Sequence, residues 1–308
     1  MRSKADKGTF GRHETFALRY SWLSKGFQAV QNYPGVFDSE NSTVELGVGK
    51  NMVTSIRYWL KAFQLIEKSS NTPTLLGKKL FDPKHGYDPY LEDEGTLWLL
   101  HWLLATNAEQ ATTFYWFFNQ FHKSEFAAAE LLTGLTSFVE VGLKIKVSPT
   151  TLKNDLAVLT RMYVQSKNNG RAPLEDALDS PLSLLGLLTH SPNGRTYQSP
   201  AKARTYLPTG IFSFAVAQLM QARGMTSLPL EKLMYSRDQF VSPGTIFRLT
   251  EADLIAKLEH MTEYMPNQFT INETAGIHQL YRLVENEVDP LQYLGQHYLI
   301  NSKRCAAA

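Results

Sequence analysis

The stretch from Leu46 to Ile66 constrains the fold more than any other part of the chain, because it has the pattern of a helix-turn-helix. Gly47 and Gly49 predict a tight turn, and the apolar side chains that follow recur at helical spacing. These apolar residues are Val53, Ile56, Leu60 and Phe63. We predict that they form the buried face of the recognition helix of a winged helix.

The same helix carries a polar face whose chemistry suits DNA. Cationic side chains bind phosphates, and amide and hydroxyl groups bind phosphates or base edges. The residues predicted to contact DNA are Lys50, Asn51, Thr54, Arg57, Tyr58 and Lys61. The alternative is an ordinary amphipathic helix with a solvated basic face. DNA binding is favoured because residues 1–80 contain 12 Lys or Arg against 6 Asp or Glu, whereas the remainder contains 19 against 23.

A second helix-turn-helix pattern lies between Lys146 and Tyr163. Ser148 is a candidate N-cap, and Pro149 suits the first helical position. Lys153 and Asn154 fall outside the apolar face and are predicted to contact DNA. The equally weighted alternative is a winged helix that serves only packing or dimer contacts.

The whole pattern predicts a mainly α protein with small β wings. Residues 72–81 alternate loosely as a strand, and residues 82–86 have the composition of the turn of a wing hairpin. Helices are predicted over residues 15–31, 96–106, 125–141, 211–223, 250–264 and 272–287, with loops at 167–173 and 191–200. The predicted domains are an N-terminal winged-helix DNA-binding domain (1–108), a second winged-helix-like domain (109–200) and a C-terminal helical domain (201–304).

Bulk features exclude several classes of protein. Cys305 is the only cysteine, so neither an intramolecular disulfide nor a thiolate-built zinc site is possible. The longest apolar runs fall short of the roughly 20 residues needed to span a bilayer, and no N-terminal segment resembles a secretory signal. We predict a cytoplasmic protein with no membrane partner.

Two polar clusters are candidates for catalysis. Asp88, Glu92 and Asp93 concentrate carboxylates that suit a divalent cation, Mg²⁺ or Mn²⁺, with Glu92 and Asp93 as the predicted metal ligands. The alternative is that this acidic run complements the dipole of a helix beginning near Thr96.

The second cluster is His13, Glu14 and Arg19, which combines a titratable base, a possible ligand and a phosphate-binding guanidinium. The alternative is that His13 and Glu14 cap the first helix. Among the remaining polar residues, His101 lies within an apolar aromatic stretch, and we predict that it is buried in the core rather than a ligand.

Several sequence signatures resemble the SspB-like family, which is associated with DNA phosphorothioation and was long catalogued as a domain of unknown function. They cover residues 11–16, 19–23, 46–53, 55–59, 86–93, 96–102, 151–155, 178–182, 242–244 and 274–276. Ser21 stands where the family pattern has a glycine, which is a small polar change.

The resemblance implies a bacterial protein of single-strand phosphorothioate modification and anti-phage defence, in which a non-bridging phosphate oxygen becomes sulfur. It implies a role in nicking duplex DNA. The implied partners are a cysteine desulfurase, an ATP-pyrophosphatase-type sulfur transferase and an ATPase, and a homodimer is possible. The alternative is a non-catalytic adaptor that recruits the sulfur-transfer enzymes to DNA. An ordinary transcriptional regulator is a third class, but it does not account for the signatures outside the helix-turn-helix stretches.

Overall fold

A computed structural model describes residues 7–165, 180–236, 240–274, 277–284 and 288–306 of the 308-residue chain. The predicted loop at 167–173 lies outside these residues, and so do parts of the signatures at 178–182 and 274–276. The chain forms two compact units, one made of residues 3–117 and 121–199 and the other mainly of residues 200–308.

The first unit begins with short helices. They are α1 (Tyr20–Asn32), α2 (Ser42–Leu46), α3 (Lys50–Ala62), α4 (Leu75–Phe81), α5 (Glu94–Thr106) and α6 (Thr112–Asn119), with a 3-10 turn at Val36–Asp38. Helix α1 starts at Tyr20, five residues later than predicted, because residues 11–15 form a tight turn instead. The alternative that His13 and Glu14 cap α1 is therefore wrong.

The predicted tight turn is present between α2 and α3. Gly47 ends α2 in the left-handed conformation with φ of 59°, which glycine adopts without steric cost. The predicted apolar stripe of α3 is buried. It packs closely on α1, since a Cβ added at Gly26 would lie 2.4 Å from Ile56 Cγ2. Close packing of this kind fixes which face of α3 remains outside.

The predicted strand at residues 72–81 is wrong, because these residues contain helix α4. The hydroxyl of Thr74 accepts a hydrogen bond from the Gly77 amide at 3.0 Å, which caps the helix. The alternation of polar and apolar residues was too short to distinguish a strand from one helical turn. Residues 82–86 do form a turn, organised by the Asp82 carboxylate, but it follows a helix and is not the turn of a wing hairpin.

Helices α5 and α6 supply the aromatic core of the first unit. Nearly all of α5 is buried, and so are Trp98, Trp102, Tyr115, Trp116 and Phe117. His101 is buried as predicted, with Nδ1 2.8 Å from the hydroxyl of Tyr163. The dense helical spacing of these aromatics therefore serves packing.

The first unit ends with α7 (Ala128–Ser137), which continues into a π-helical turn at Phe138–Gly142, and α8 (Pro149–Tyr163). The Ser148 hydroxyl accepts from the Thr151 amide at 3.1 Å, as its predicted N-cap role requires. A small antiparallel sheet in the order β1-β3-β2 joins β1 (Glu125–Phe126), β2 (Thr189–His190) and β3 (Tyr197–Gln198).

The second unit combines helices with a second antiparallel sheet. Its helices are α9 (Thr209–Arg223), α10 (Leu230–Met234), α11 (Pro243–Ile246), α12 (Glu251–Tyr264) and α13 (Pro290–Ala306). Its sheet has the order β4-β6-β5, formed by β4 (Ser227–Pro229), β5 (Phe269–Thr274) and β6 (Ile277–Arg282).

The helix predicted over residues 272–287 is wrong, since β5 and β6 pair as antiparallel strands there. The β-branched residues Thr270, Ile271 and Thr274 favour a strand over a helix. The mainly α class with small β elements is confirmed. Across the described ranges, no helix combines the length and the apolar character that crossing a bilayer requires.

Candidate functional site

The N-terminal end of α3 exposes polar side chains just after the α2–α3 turn. Lys50, Asn51 and Thr54 are all solvent-exposed, and the Thr54 hydroxyl donates to the Lys50 carbonyl at 3.3 Å. The backbone amides of a helix N-terminus also favour an anion. This end of α3 therefore presents an ammonium, an amide and a hydroxyl together.

Further along α3, Arg57 is already engaged within the protein. Its Nη1 and Nη2 donate to the two carboxylate oxygens of Asp38 at 2.9 and 3.3 Å, and its Nε donates to Asn71 Oδ1 at 3.1 Å. The side chains of Arg57 and Asp38 are 31% and 62% exposed. A DNA phosphate has to compete with Asp38 for this guanidinium.

Two other predicted contacts on α3 also have intramolecular roles. Lys61 Nζ donates to the Lys68 carbonyl at 2.8 Å, and its pKa is lowered by burial and by the charge of Arg57, with Asp38 opposing. Tyr58 is buried, and burial together with the charge of Asp155 raises the pKa of its hydroxyl. The DNA contact of Tyr58 stays a prediction, and in this structure its ring lies in the core.

On α8, Lys153 and Asn154 are exposed in the first two turns. Neither the ammonium of Lys153 nor the amide of Asn154 makes a hydrogen bond to the described residues. Their position opposite the buried Leu152 and Leu156 agrees with the helical spacing of the sequence.

His13 is anchored in the interior of the first unit and is only 1% exposed. Its Nε2 lies 3.0 Å from Asp155 Oδ1, and its Nδ1 accepts a hydrogen bond from the Thr15 amide at 3.1 Å. Because Nδ1 is the acceptor, the neutral ring carries its proton on Nε2 and donates it to the carboxylate. The ring also stacks on Trp59, with centroids 6.2 Å apart.

The carboxylate of Asp155 collects three donors. Besides His13, Oδ1 accepts from the Gly11 amide at 2.8 Å, and Oδ2 accepts from the Thr113 hydroxyl at 2.8 Å. A buried carboxylate is costly unless it is hydrogen-bonded in this way. Asp155 thus ties residues 11–13 to helices α6 and α8.

Residues 11–15 adopt a strained turn, which we call the N-terminal loop. Gly11, Glu14 and Thr15 have φ of 72°, 48° and 63°, and the left-handed conformation costs a non-glycine residue roughly 1–2 kcal/mol. The loop is held at its far end by Arg161, whose Nη2 donates to the Thr15 carbonyl at 2.6 Å. Strain of this kind persists only where surrounding contacts over-determine the backbone.

The predicted catalytic trio of His13, Glu14 and Arg19 is not one solvent-facing group. His13 is buried and fully hydrogen-bonded, Glu14 is partly exposed, and the Arg19 guanidinium lies 5.5 Å from the Trp22 ring centroid. The catalytic role of His13 stays a prediction, and in this structure both ring nitrogens are engaged away from solvent.

In the acidic run before α5, carboxylates accept hydrogen bonds from nearby backbone amides. Asp88 is buried, and its carboxylate accepts from the Glu92 and Asp93 amides at 2.8 and 3.1 Å. Asp93 caps α5 by accepting from the Gly95 amide at 2.7 Å. The catalytic role of Asp88 stays a prediction, and in this structure its carboxylate serves the local backbone. Glu92 remains exposed, and within the described residues no three acidic, histidine or cysteine side chains come together as a metal-binding group.

The chain matches the family model described as Protein of unknown function (DUF4007) over residues 10–298. This chain belongs to the DUF4007 family.

Two solved structures resemble this DUF4007 chain. An SspB crystal structure has a TM-score of 0.83 and 30% sequence identity, and the match covers 96% of this chain and 89% of that one. A magnesium ion-bound SspB crystal structure has a TM-score of 0.82 and 30% identity, with 94% and 88% covered. No curated protein sequence matches this chain. The predicted resemblance to the SspB-like family is confirmed.

Sequence reasoning on this DUF4007 chain missed the roles of Asp155 and Thr113. One signal was available, since Asp155 falls on the same face of α8 as Leu152 and Leu159. A carboxylate on an apolar face needs donors in the interior. The identity of those donors, which come from positions 11, 13 and 113, depends on tertiary structure.

Proposed function

We propose that this protein binds duplex DNA and nicks one strand as a component of bacterial single-strand phosphorothioate modification. The observation that carries this proposal is the similarity to SspB structures over 96% of the chain. Its proposed partners are the cysteine desulfurase, ATP-pyrophosphatase-type sulfur transferase and ATPase that the resemblance implies. We further propose that the protein acts in the cytoplasm.

The proposed DNA-contacting surface uses α3 and α8 of the first unit. Lys50, Asn51 and Thr54 are exposed on α3, and Lys153 and Asn154 are exposed on α8. The two lysines bind phosphates, and the amides and hydroxyl bind phosphates or base edges. Arg57 and Lys61 contribute only if DNA displaces their present partners.

Nicking requires activation of a nucleophile and stabilisation of the charge that develops on the phosphate. Among the candidates, Glu14 and Glu92 retain solvent access, whereas His13 and Asp88 do not. We therefore assign the proposed chemistry to the two glutamates. Arg19, which is partly exposed, is the proposed guanidinium for the phosphate.

Magnesium is the proposed cation, because one of the similar SspB structures is magnesium ion-bound. Mg²⁺ keeps several waters and needs only one or two protein carboxylates. Glu92 and Asp93 fit such a sparse set of ligands, since the described residues hold no group of three. The ion would supply charge stabilisation for the phosphate, while Asp93 also continues to cap α5.

The alternative function is a non-catalytic adaptor that brings the sulfur-transfer enzymes to DNA. One observation favours it: the most conspicuous catalytic candidates, His13 and Asp88, are engaged in internal hydrogen bonds. An adaptor needs the DNA-contacting surface but neither glutamate.

The deciding experiment is relaxation of supercoiled plasmid by purified protein with Mg²⁺, with Mn²⁺ or with EDTA. We expect metal-dependent conversion to open circles, and loss of that conversion in Glu14→Gln or Glu92→Gln while DNA binding persists. Glu259→Gln, an exposed carboxylate of the second unit, is the matched control. Protein that shifts DNA without nicking it, alone and with the partner enzymes added, would establish the adaptor.

A further inference from the structure

The residues of the N-terminal loop fall into two groups, those anchored to the protein and those between the anchors. The backbone of Gly11, the side chain of His13 and the backbone of Thr15 are bound to α8 or to each other. Arg12 and Glu14 lie between these anchors, and Arg12 is exposed. The anchors therefore hold the backbone on both sides of Arg12.

The state of Arg12 contrasts with that of the other arginines near this surface. Arg57 is bound to Asp38 and Asn71, and Arg161 is bound to the Thr15 carbonyl. The Arg12 guanidinium makes neither an ion pair nor a hydrogen bond with the described residues. A strained loop thus presents one guanidinium that has no intramolecular use.

The loop also lies beside the proposed DNA-contacting helix α8. A Cβ added at Gly11 would lie 3.1 Å from the Thr151 side chain, which comes two and three residues before the exposed Lys153 and Asn154 on α8. His13 meanwhile contacts Tyr58 and Trp59 of α3. Arg12 is therefore presented from a loop that contacts both helices of the proposed surface.

We propose that the N-terminal loop is a preformed phosphate-contacting loop, in which Arg12 binds a phosphate of the DNA backbone. Asp155 and His13 are positioning residues that act through Arg12. This inference rests on the proposed DNA binding and adds a contact to it. Guanidinium groups bind phosphate in a planar, two-pronged geometry, and a fixed backbone reduces the ordering cost of that contact.

The first test measures affinity for a fluorescent duplex over a series of salt concentrations. Losing one phosphate contact lowers the magnitude of the salt slope by about 0.9. We expect that loss in Arg12→Gln, with binding weakened roughly five- to tenfold near 0.1 M salt. Arg12→Lys retains the charge and should keep most of the slope. Arg195→Gln is the matched control, because Arg195 is an exposed arginine elsewhere in the same unit.

The second test asks whether Asp155 acts through Arg12. Asp155→Asn keeps the side-chain size but removes the negative charge and replaces one acceptor oxygen by an N–H donor, which weakens the anchoring of the loop. We expect Asp155→Asn to weaken binding, and the Arg12→Gln/Asp155→Asn double variant to bind no more weakly than Arg12→Gln alone. His13→Gln provides a second route to the same result if Asp155→Asn does not fold, as judged by circular dichroism.

The outcomes separate this inference from the proposed function. Wild-type protein that binds no duplex overturns both. Wild-type binding that Arg12→Gln affects no more than Arg195→Gln overturns the phosphate contact alone. Losses that add in the double variant overturn the positioning role, since a general structural defect would act independently of Arg12.

Discussion

At the scale of single residues, the decisive feature is which charged side chains already have partners. Arg57 and Lys61 have partners, whereas Lys50 and Lys153 have none among the residues that the structure describes. A sequence pattern counts all four as equal phosphate ligands. In the folded chain these four cations differ, because only an exposed cation without an internal partner could bind DNA without first breaking a contact.

Removing Asp38 should release Arg57 for DNA. In Asp38→Asn the bidentate carboxylate is lost, so the Arg57 guanidinium no longer has a charged competitor for phosphate. We expect the affinity for duplex DNA to rise about two- to threefold, because a partly exposed ion pair contributes little energy. The dependence of that affinity on salt concentration should become steeper.

The matched control is Glu45→Gln, which removes the same charge from the exposed face of α2. An equal gain in both variants would mean that lower overall negative charge, and not release of Arg57, explains the effect.

At the scale of elements, short helices are fixed by their caps. Helix α4 has only seven residues, and Thr74 both caps it and donates from its hydroxyl toward the Gln64 and Leu65 carbonyls. A helix this short has little stability of its own. Its N-cap and the burial of Leu80 and Phe81 therefore determine that residues 75–81 are helical.

We expect Thr74→Ala to lower the free energy of unfolding by about 1–2 kcal/mol, through loss of the cap and of its carbonyl contacts. Urea unfolding followed by circular dichroism measures this change. Thr205→Ala, at an exposed threonine of the second unit, should shift the midpoint far less. Equal shifts of the urea midpoint in the two variants would show that the cap at Thr74 does not stabilise the protein.

At the scale of the whole molecule, the sequence predicted the mainly α class, the α2–α3 turn and the buried stripe of α3. Its failures occurred where local pattern was ambiguous: residues 72–81 became a helix, and residues 272–287 contain a hairpin. Cap geometry and strand pairing decide such segments, and both depend on neighbours distant in sequence.

The candidate site was less predictable than the fold. Glu14, Glu92, Lys50 and Lys153 are solvent-accessible as expected, and residue type alone indicated them. His13 is held by a hydrogen bond to Asp155, 142 residues away, which no spacing rule encodes. Asp88 is held by the nearby Glu92 and Asp93 amides, a local turn that residue type alone does not predict.

Buried tyrosines should make the protein unstable in alkali. Burial raises the pKa of the Tyr58, Tyr163 and Tyr293 hydroxyls and raises that of Tyr264 to about 12. Because the folded pKa exceeds the unfolded value near 10, the contribution to stability is complete below pH 10 and is lost as the pH rises above it.

Absorbance at 295 nm and circular dichroism, recorded together through an alkaline titration, test this expectation. The hydroxyls with a raised pKa, those of Tyr58, Tyr163, Tyr264 and Tyr293, should ionise only as helicity is lost. Ionisation of every tyrosine with the helices intact would contradict it.

The bond between the Gly11 amide and Asp155 joins positions 144 residues apart. On a ribosome that adds about 5–20 residues each second, the start of the chain must wait roughly 7–30 s for its acceptor to be made. Until then Trp59 lacks the His13 ring that covers it. The N-terminal loop is thus completed only when about half of the protein has been translated.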